Sequence, residues 1–397
     1  MSTVFIDVTS SCKAAKNTGM QRMTRGLYRH LRDHLEVMPI SWNKKGKVYQ
    51  QLGPRELAVL RDPFRVRSKP SVRPEWYGET RTEEWLRLFL RKKIDLESEM
   101  TKTDVLLIPD FYNDARTSLL PRVISRTRAY SVAIFHDAAA LRLPTLADHN
   151  RVKFHNYLRS LAAFDLVICI SQESRDDLLK RWSDEGVNPT KTVIEPWPVE
   201  FGSDVRETSS GRTEPIIACI GSFEPRKNHF TLLSAAEQLW EKGIHFELQL
   251  VGRTTHHSAP KMIARLWRMR RDGRPLRWLR HISDDALHEV YKSCRFTVYP
   301  SLMEGFGLPI AESLWHGKPV VCGGNGALGE VAVGGGCLIV DQTSVDALAE
   351  GISTLLSDQQ LYSRLCAEAR ARTFRSWADY TAKFLTHLQN PNSVVFT

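Results

Sequence analysis

Short apolar runs alternate with longer amphipathic segments along most of the chain. The apolar runs have the length of buried strands, and the amphipathic segments have a helical period. Strands are predicted at residues 4–8, 105–109, 131–135, 166–170, 216–220, 246–251, 296–299, 319–322 and 337–340. Helices are predicted at residues 20–35, 174–182, 230–242, 282–291, 309–317, 345–356, 359–372 and 377–388. This alternation is typical of doubly wound α/β domains.

A polar stretch between the two halves of the chain indicates a domain boundary. Residues 202–214 are rich in Ser, Thr, Gly and Arg, and a chain of 397 residues favours two domains over one. We therefore interpret residues 203–214 as the linker. The predicted domains are residues 1–205 and 206–375, followed by a last helix within residues 376–397. Residues 41–81 have no clear period and are predicted to form an irregular insertion.

Charge and cysteine content limit the class of protein. A net charge of +10 and a pI near 9.3 permit an anionic partner, such as a nucleotide-sugar, an acidic lipid surface or a nucleic acid. The 7 cysteines include no Cys-x-x-Cys pair, so neither a disulfide framework nor a zinc site is predicted. No apolar run approaches the roughly 18 residues of a membrane span, and no signal peptide precedes the first strand. We expect a cytoplasmic protein, at most peripheral on the inner face of the cell membrane.

Residues 299–330 carry the most specific chemistry. A strand leads into a turn that contains Gly305 and Gly307, and a helix that begins with a proline follows. The N-terminus of a helix binds anions, and glycine lets the backbone approach a ligand closely. Glu304 and Glu312 flank this helix start, and a carboxylate can accept two hydrogen bonds from a sugar diol. We interpret the stretch as a diphosphate site with one carboxylate on a sugar and the other on a ribose. The alternative is a helix cap beside a solvated glutamate.

Four further positions lie in loops that follow predicted strands, where open α/β sheets bind ligands. Arg226 and Lys227 offer a bidentate fork and a point charge, a pair suited to a diphosphate. Two ordinary surface cations are the alternative. His136 directly follows the strand at 131–135, although a structural histidine fits that position equally well. Gly19 lies between a strand and a helix, as in the opening of a nucleotide-binding unit.

One stretch of the chain reads Glu304-Gly-Phe-Gly-Leu-Pro-Ile-Ala-Glu312. It closely resembles the E-x7-E signature of family-4 retaining glycosyltransferases, which have the GT-B fold. The resemblance continues into residues 317–321 and 327–331, is strong over residues 216–345 and is weaker before them. It implies two Rossmann-like domains facing each other across a cleft, with the final helix crossing back to the first domain. Domain closure would complete the site and exclude water.

The resemblance also implies roles for individual residues. Glu304 would hold the donor sugar, Glu312 the ribose, and His136 the sugar from the opposite domain. Arg226 and Lys227 would form a phosphate clamp that stabilises charge on the leaving diphosphate. The predicted catalytic residues are therefore Glu304, His136, Arg226 and Lys227. The predicted donor-binding residues are Gly19, Gly221, Ser222, Gly252, Ile282, Gly305, Phe306, Gly307, Leu308 and Glu312.

Three of these assignments follow from particular positions in the family. The loop at residues 18–22, which contains Gly19, would face the donor phosphate or the acceptor. The backbone near Ile282 would touch the nucleobase. Ser222 stands where some members have an arginine, so one phosphate contact is expected to be missing.

The implied reaction is transfer of a hexosyl group from a nucleoside-diphosphate sugar to a hydroxyl, with retained anomeric configuration, no metal and no cofactor. The overall pattern is similar to bacterial O-antigen and capsule mannosyl- and rhamnosyl-type transferases. A GDP-sugar is therefore the first choice of donor, and UDP- and dTDP-sugars stay open. The implied acceptor is a growing cell-surface polysaccharide or another lipid-linked glycan.

Two basic segments indicate a further partner, an anionic membrane surface. Residues 83–94 are amphipathic, and residues 253–280 contain nine Arg or Lys against one acid, with Trp267 and Trp278 interleaved. Solvated or core-packed helix faces are the ordinary explanation for both segments. Nucleic acid is disfavoured as a partner because no nucleic-acid-binding motif accompanies the basic stretch.

Two other classes of protein stay as alternatives. The first is an NAD-dependent dehydrogenase, because residues 324–329 fit Gly-x-Gly-x-x-Gly after a strand. The next predicted strand begins only eight residues past Gly329, which is too close for a parallel crossover, so we interpret the motif as a ligand-facing loop. The second is a non-catalytic protein that binds nucleic acid or membrane. No Asp-x-Asp is present, which disfavours a metal-dependent GT-A transferase.

Overall fold

A computed structural model describes residues 2–13, 18–62, 91–142, 148–200, 215–254, 259–280 and 282–389. The chain divides into two compact units, Met1–Trp197 with Trp377–Thr397, and Pro198–Ser376. The proposed linker at 203–214 and most of the amphipathic segment at 83–94 lie outside the described residues. Among the helices that are described, none combines the length and the apolar character needed to cross a bilayer.

The first unit is built on an eight-stranded sheet in the order β4-β3-β2-β1-β5-β6-β7-β8. Its strands are β1 (Thr3–Asp7), β2 (Glu36–Asn43), β3 (Val48–Gln51), β4 (Lys93–Ile94), β5 (Val105–Ile108), β6 (Tyr130–Phe135), β7 (Leu166–Cys169) and β8 (Thr192–Ile194). Its helices are α1 (Thr9–Lys13), α2 (Gly19–Leu31), α3 (Pro54–Arg61), α4 (Leu96–Glu99), α5 (Arg116–Thr127), α6 (Ala139–Arg142), α7 (Asp148–Leu161) and α8 (Gln172–Asp184). β3 runs antiparallel to β2 and β4, and the other strand pairs described in this sheet are parallel.

The prediction of an irregular insertion at 41–81 is wrong for its first part. β2 and β3 form an antiparallel hairpin in which Trp42 is paired with Tyr49, and the two rings meet edge to face with centroids 5.1 Å apart. Both side chains are almost fully buried, so the packing of two aromatic residues across the strands fixes a hairpin that is too short to show a period. α3 follows, and the rest of the segment lies outside the described residues.

The second unit is built on a six-stranded, wholly parallel sheet in the order β11-β10-β9-β12-β13-β14. Its strands are β9 (Ile216–Ile220), β10 (Glu247–Val251), β11 (Leu276–Leu279), β12 (Phe296–Tyr299), β13 (Val320–Cys322) and β14 (Cys337–Ile339). Its helices are α9 (His229–Glu241), α10 (Ala259–Arg271), α11 (Asp284–Ser293), α12 (Leu308–Trp315), α13 (Gly326–Ala332), α14 (Val345–Ser357) and α15 (Gln359–Ala371). Strands of this kind are apolar on both faces because helices cover the sheet on each side.

The interpretation of residues 324–329 as a loop that cannot belong to a parallel crossover is wrong. α13 begins at Gly326, and β13 pairs in parallel with β14, so the segment is a short crossover with its own helix. The crossover extends from Cys322 to Cys337. The prediction failed because it measured the connection only from Gly329, which lies within the helix of the crossover. A Cβ on Gly329 would lie 2.3 Å from the backbone oxygen of Gly324, so close backbone packing explains that glycine.

The last helix, α16 (Trp377–Leu388), returns to the first unit, which confirms the predicted crossing. The Trp377 ring stacks on His30 of α2 with centroids 5.1 Å apart. Gly26 makes the close approach possible, because a Cβ there would lie 2.1 Å from the Trp377 ring. His387 and the buried Glu195 are joined by a hydrogen bond of 2.8 Å.

Candidate active site

Two loops of the second unit bring the predicted phosphate clamp and the first signature glutamate together. After β9 a 3-10 turn, Pro225–Lys227, presents Arg226 and Lys227, and Asn228 ends it in the left-handed region at φ 53°. The loop after β12 is tied to this turn by the backbone N–H of Leu302, which donates to the carbonyl of Arg226 at 2.7 Å. The Ser301 hydroxyl donates to the same carbonyl at 3.1 Å.

Glu304 lies between the two cations. Its Oε2 accepts from Arg226 Nη1 at 2.6 Å, and its Oε1 accepts from Lys227 Nζ at 2.6 Å. Ser301 Oγ also donates to Oε1, and Lys227 Nζ also donates to the hydroxyl of Tyr299. The side chains of Lys227 and Glu304 are each 9% exposed, so the structure unites three of the four predicted catalytic residues in a buried cluster.

The electrostatics of this cluster favour an ionised Glu304. Burial alone would raise the pKa of this carboxyl, but Lys227 and Arg226 together lower the pKa to about 2. Burial lowers the pKa of Lys227, and the Glu304 carboxylate opposes that effect. Arg226 Nε also pairs with Glu224 Oε2 at 3.0 Å, so two carboxylates balance the two cations. A diphosphate that binds here has to compete with these carboxylates for the same donors.

The start of α12 has the backbone that an anion site requires. Gly307 is its N-cap with φ 97°, a conformation that a side chain would strain. Gly305 is buried, while Phe306 and Leu308 pack against the apolar cluster beneath the helix. Gly317, where the helix was expected to stop, has φ 68° just beyond the C-cap.

Glu312 is not a solvated glutamate, so that alternative is wrong. Glu312 is 2% exposed, and the hydroxyl of the fully buried Tyr291 donates to its Oε2 at 2.7 Å. The His316 ring stacks on the Tyr291 ring with centroids 5.0 Å apart. These contacts fix both the tyrosine and the carboxylate in place.

Gly221, Ser222 and Gly252 lie side by side at the ends of β9 and β10. The N–H of Gly221 donates to the Val251 carbonyl at 2.8 Å, and the Ser222 hydroxyl donates to Glu224. A Cβ on Gly252 would lie 2.0 Å from the Gly221 oxygen, so only glycine fits there. Ile282 is partly buried against a separate apolar cluster near the end of this sheet.

His136 and Gly19 belong to the first unit. His136 is buried, and its Nε2 shares a hydrogen bond of 2.7 Å with the carbonyl of Pro109. Within the described part of the chain its Nδ1 has no hydrogen-bond partner. Burial lowers the pKa of this imidazole, so it is neutral at pH 7. Gly19 opens α2, whose N-terminus is closed by a capping box between Thr18 and Gln21.

Sequence reasoning missed the groups that hold the site in place. Tyr299 binds Lys227, and Ser301 binds Glu304. Tyr291 binds Glu312, and Glu224 binds Arg226. Tyr299 is the last residue of β12, and the carboxyl ends of parallel strands line the ligand edge. This position at the end of a strand could have identified Tyr299 as a site residue from the sequence. The contact between Tyr291 and Glu312 joins residues 21 positions apart, whereas Ser301 and Glu224 lie within three positions of the residues they bind.

A second buried ion cluster, in the first unit, was also missed. Asp7, the last residue of β1, accepts from Arg116 Nη1 at 2.7 Å and from the Tyr49 hydroxyl at 2.9 Å. Arg116 Nε donates to Asp114 at 2.8 Å. Since these groups satisfy one another, the cluster supports the fold. No group of three or more His, Cys, Asp or Glu side chains among the described residues is arranged to hold a metal ion.

The known proteins that this chain resembles are glycosyltransferases. Residues 203–372 match the family model for glycosyl transferases group 1. The O-antigen chain mannosyltransferase B of Escherichia coli is 29% identical over 294 residues, covering 69% of this chain and 71% of that protein. The serotype-specific mannosyltransferase WbdA of Escherichia coli is 30% identical over 244 residues, or 56% of this chain. The chain spans 29% of WbdA.

Among solved structures, Anabaena HepE in complex with UDP and glucose is similar over 98% of this chain and 99% of that one. The TM-score is 0.66 at 16% sequence identity, so this likeness concerns the fold alone.

The fold and the family match define this chain as a glycosyltransferase with the GT-B fold. It is a hexosyltransferase that carries a group 1 domain at residues 203–372, and its sequence is similar to bacterial O-antigen mannosyltransferases. These relatives favour the transferase over the dehydrogenase and over the non-catalytic binding protein.

Proposed function

We propose that the chain transfers a mannosyl-type hexose from a nucleoside-diphosphate sugar, GDP-mannose first, to a hydroxyl of a growing cell-surface glycan. The observation that carries the proposal is the buried cluster of Arg226, Lys227 and Glu304 immediately before the N-terminus of α12. This arrangement joins two cations, a helix N-terminus and a sugar-binding carboxylate in one unit of the protein.

The two cations act on the leaving diphosphate. When the glycosidic bond to the diphosphate breaks, negative charge grows on the terminal phosphate. Arg226 and Lys227 offer fixed donors to this charge, and their side chains are 22% and 9% exposed, so water screens them little. Because they supply positive charge themselves, we propose that the reaction proceeds without a metal ion. Retention of configuration is proposed from the resemblance of residues 304–312 to the signature of retaining glycosyltransferases.

The two glutamates act on hydroxyl groups. When a diphosphate binds, Glu304 loses some of its hydrogen bonds to Arg226 and Lys227. Its oxygens then accept hydrogen bonds from hydroxyl groups of the donor sugar. Ser301 stays as its anchor. Glu312, which is held in place by Tyr291, accepts hydrogen bonds from the ribose hydroxyl groups. His136 keeps its predicted role toward the donor sugar, and a neutral imidazole can accept a hydroxyl hydrogen at Nδ1.

The donor choice is supported by the mannosyltransferases among the relatives, whereas the solved structure of HepE contains UDP. A UDP-sugar is therefore the second candidate. The proposed acceptor is supported by the relative named as an O-antigen chain mannosyltransferase, and a lipid-linked glycan is the form we propose.

A donor comparison tests the proposal. The purified chain is incubated with GDP-mannose, UDP-glucose and dTDP-rhamnose, with and without mannose oligosaccharides, and nucleotide release and glycan mass are measured. We expect release from GDP-mannose, added hexose on the oligosaccharide, an α-linked product by NMR and unchanged rates in EDTA. Glu304→Gln should abolish release, and Glu97→Gln, which also lies between two arginines but in the first unit, should not. Absence of release from every donor, or release by Glu304→Gln at the wild-type rate, would overturn the proposal.

A further inference from the structure

Helix α10 of the second unit has one face in the core and one face in solvent. Met262, Leu266 and Met269 are buried in the main apolar cluster of this unit. On the opposite side Trp267 is 60% exposed, more than any other tryptophan among the described residues. The indole of Trp267 therefore lies mainly in solvent, on the side of the helix away from the residues that anchor it in the core.

Cations surround this tryptophan. Lys261, Arg268, Arg270 and Arg271 are exposed, and a surface groove is lined by Ala264, Trp267, Arg268, Arg270 and Arg271. Residues 261, 264, 267, 268 and 271 follow the three- and four-residue spacing of a single helix face. We call the side chains of Lys261, Ala264, Trp267, Arg268, Arg270 and Arg271 the α10 face.

Most of these cations are not used inside the protein. Arg265, on the flank of the helix, is neutralised by Glu237 and also donates to the Phe230 carbonyl at 3.1 Å. Arg271 has one exposed pair with Asp272 at 3.3 Å. By contrast, no carboxylate of the described residues pairs with Lys261, Arg268 or Arg270. The α10 face therefore presents an uncompensated positive charge around an exposed indole.

We propose that the α10 face binds an anionic lipid bilayer. Tryptophan prefers the boundary between headgroups and acyl chains, and arginine and lysine can lay their aliphatic stems on apolar surface while their charges meet lipid phosphates. Each cation near an anionic surface strengthens binding about fivefold. This inference concerns where the protein is held and does not depend on the identity of its donor or acceptor.

A bilayer suits this surface better than a nucleic acid. Single-stranded nucleic acid is bound by a series of aromatic rings on which successive bases stack, with a cationic groove along the backbone. The α10 face has a single aromatic ring at the centre of the charges, with the small Ala264 next to it in the groove. This arrangement fits the insertion of one indole into an interface.

Vesicle flotation of the full chain tests the proposal. Binding is measured on phosphatidylcholine vesicles with and without phosphatidylglycerol, at low salt and at about 1 M salt, where the Debye length is about 3 Å. The test variant is Trp267→Ala with Arg268→Gln. The matched control is Val152→Ala with Lys153→Gln on α7, which also removes an exposed apolar side chain and one exposed cation. Thermal unfolding and nucleotide binding of each variant confirm an intact fold.

We expect the wild type and the control to float with phosphatidylglycerol vesicles at low salt and to dissociate at high salt. The test variant should bind at least fivefold more weakly. The proposal is overturned if the wild type does not float with anionic vesicles, or if the test variant floats as well as the control. It is also overturned if a single-stranded oligonucleotide binds through the same two residues and displaces the protein from vesicles at equal charge concentration.

Discussion

Replacement of Glu304 by glutamine should destabilise the second unit in a manner that depends on pH. The substitution keeps the size of the side chain, but it removes the charge between Arg226 and Lys227 and replaces one acceptor oxygen by an NH2 donor. Glu304 has a pKa of about 2 in the folded protein and an ordinary value of 4.5. That difference corresponds to about 3 kcal/mol of free energy of unfolding at pH 7. The side chain is only 9% exposed, so solvent reduces this figure little.

The sign of the pH dependence follows from the lowered pKa. A carboxylate whose folded pKa lies below its unfolded pKa stabilises the protein fully above about pH 5, and the contribution is lost as the pH falls toward 2. At pH 3 the wild type should therefore exceed Glu304→Gln by only about 1 kcal/mol. Urea-induced unfolding followed by circular dichroism at pH 7 and pH 3 measures both differences.

Glu97→Gln provides the matched control. Glu97 lies between Arg122 and Arg126, whose side chains are 59% and 64% exposed, so water screens these pairs and their loss should have little effect. The reasoning is refuted if Glu304→Gln is no more destabilising than Glu97→Gln at pH 7, or if its deficit is the same at both pH values.

Three further substitutions test other parts of the structure. Tyr291→Phe removes the hydrogen bond to the buried Glu312 carboxylate and should weaken nucleoside-diphosphate binding about tenfold in calorimetric titration, with a loss of about 1–3 kcal/mol in stability. Burial raises the pKa of Asp110 to about 7, so the contribution of this group to stability should fall by about 1.4 kcal/mol for each pH unit between about pH 4 and 7. In urea unfolding, the stability of the wild type relative to Asp110→Asn should fall with that slope. Gly252→Ala places a Cβ 2.0 Å from a backbone oxygen and should cost more than about 2 kcal/mol, whereas Gly243→Ala, with nothing within 4 Å, should cost about 1 kcal/mol for its φ of 78°. Equal losses for the two glycine variants would contradict the packing argument.

The predicted strands were found almost as predicted, because fully buried parallel strands are short, apolar and closed by polar turns. Each has ends within one residue of the prediction, from Thr3–Asp7 to Cys337–Ile339. The helix at Leu308–Trp315 was equally clear, since its proline and the glycines on either side mark both ends. Local rules of chain geometry were sufficient for these elements.

Elements that depend on distant contacts were not predictable in the same way. The hairpin of β2 and β3 is fixed by the pairing of Trp42 with Tyr49, and neither strand shows a period by itself. The strand β11 and the helices α5 and α10 are rich in arginine, which obscures their apolar faces. The α2 helix ends at Leu31, short of the predicted residue 35, because the chain turns there toward β2.

The candidate site shows the same division. The spacing of Glu304 and Glu312 and the adjacent cations at 226 and 227 were visible in the sequence. The pairing of Glu304 with both cations was not, because it joins side chains that are 78 and 77 positions apart. The roles assigned to His136 and to the donor-binding residues stay predictions.

Ligand-induced thermal stabilisation tests the central claim, that the second unit binds a nucleoside diphosphate through Arg226 and Lys227. At about 100 times its dissociation constant, a ligand that binds only the folded state adds about 2.7 kcal/mol. The wild type is heated with GDP, UDP, dTDP, CMP and NAD, beside Arg226→Ala/Lys227→Ala and a control, Lys261→Ala/Arg268→Ala, that removes two exposed cations of the same unit. The account predicts that one nucleoside diphosphate, GDP first, raises the unfolding temperature of the wild type and the control but not of the clamp variant. Stabilisation by NAD alone, or an equal rise in the clamp variant, would contradict it.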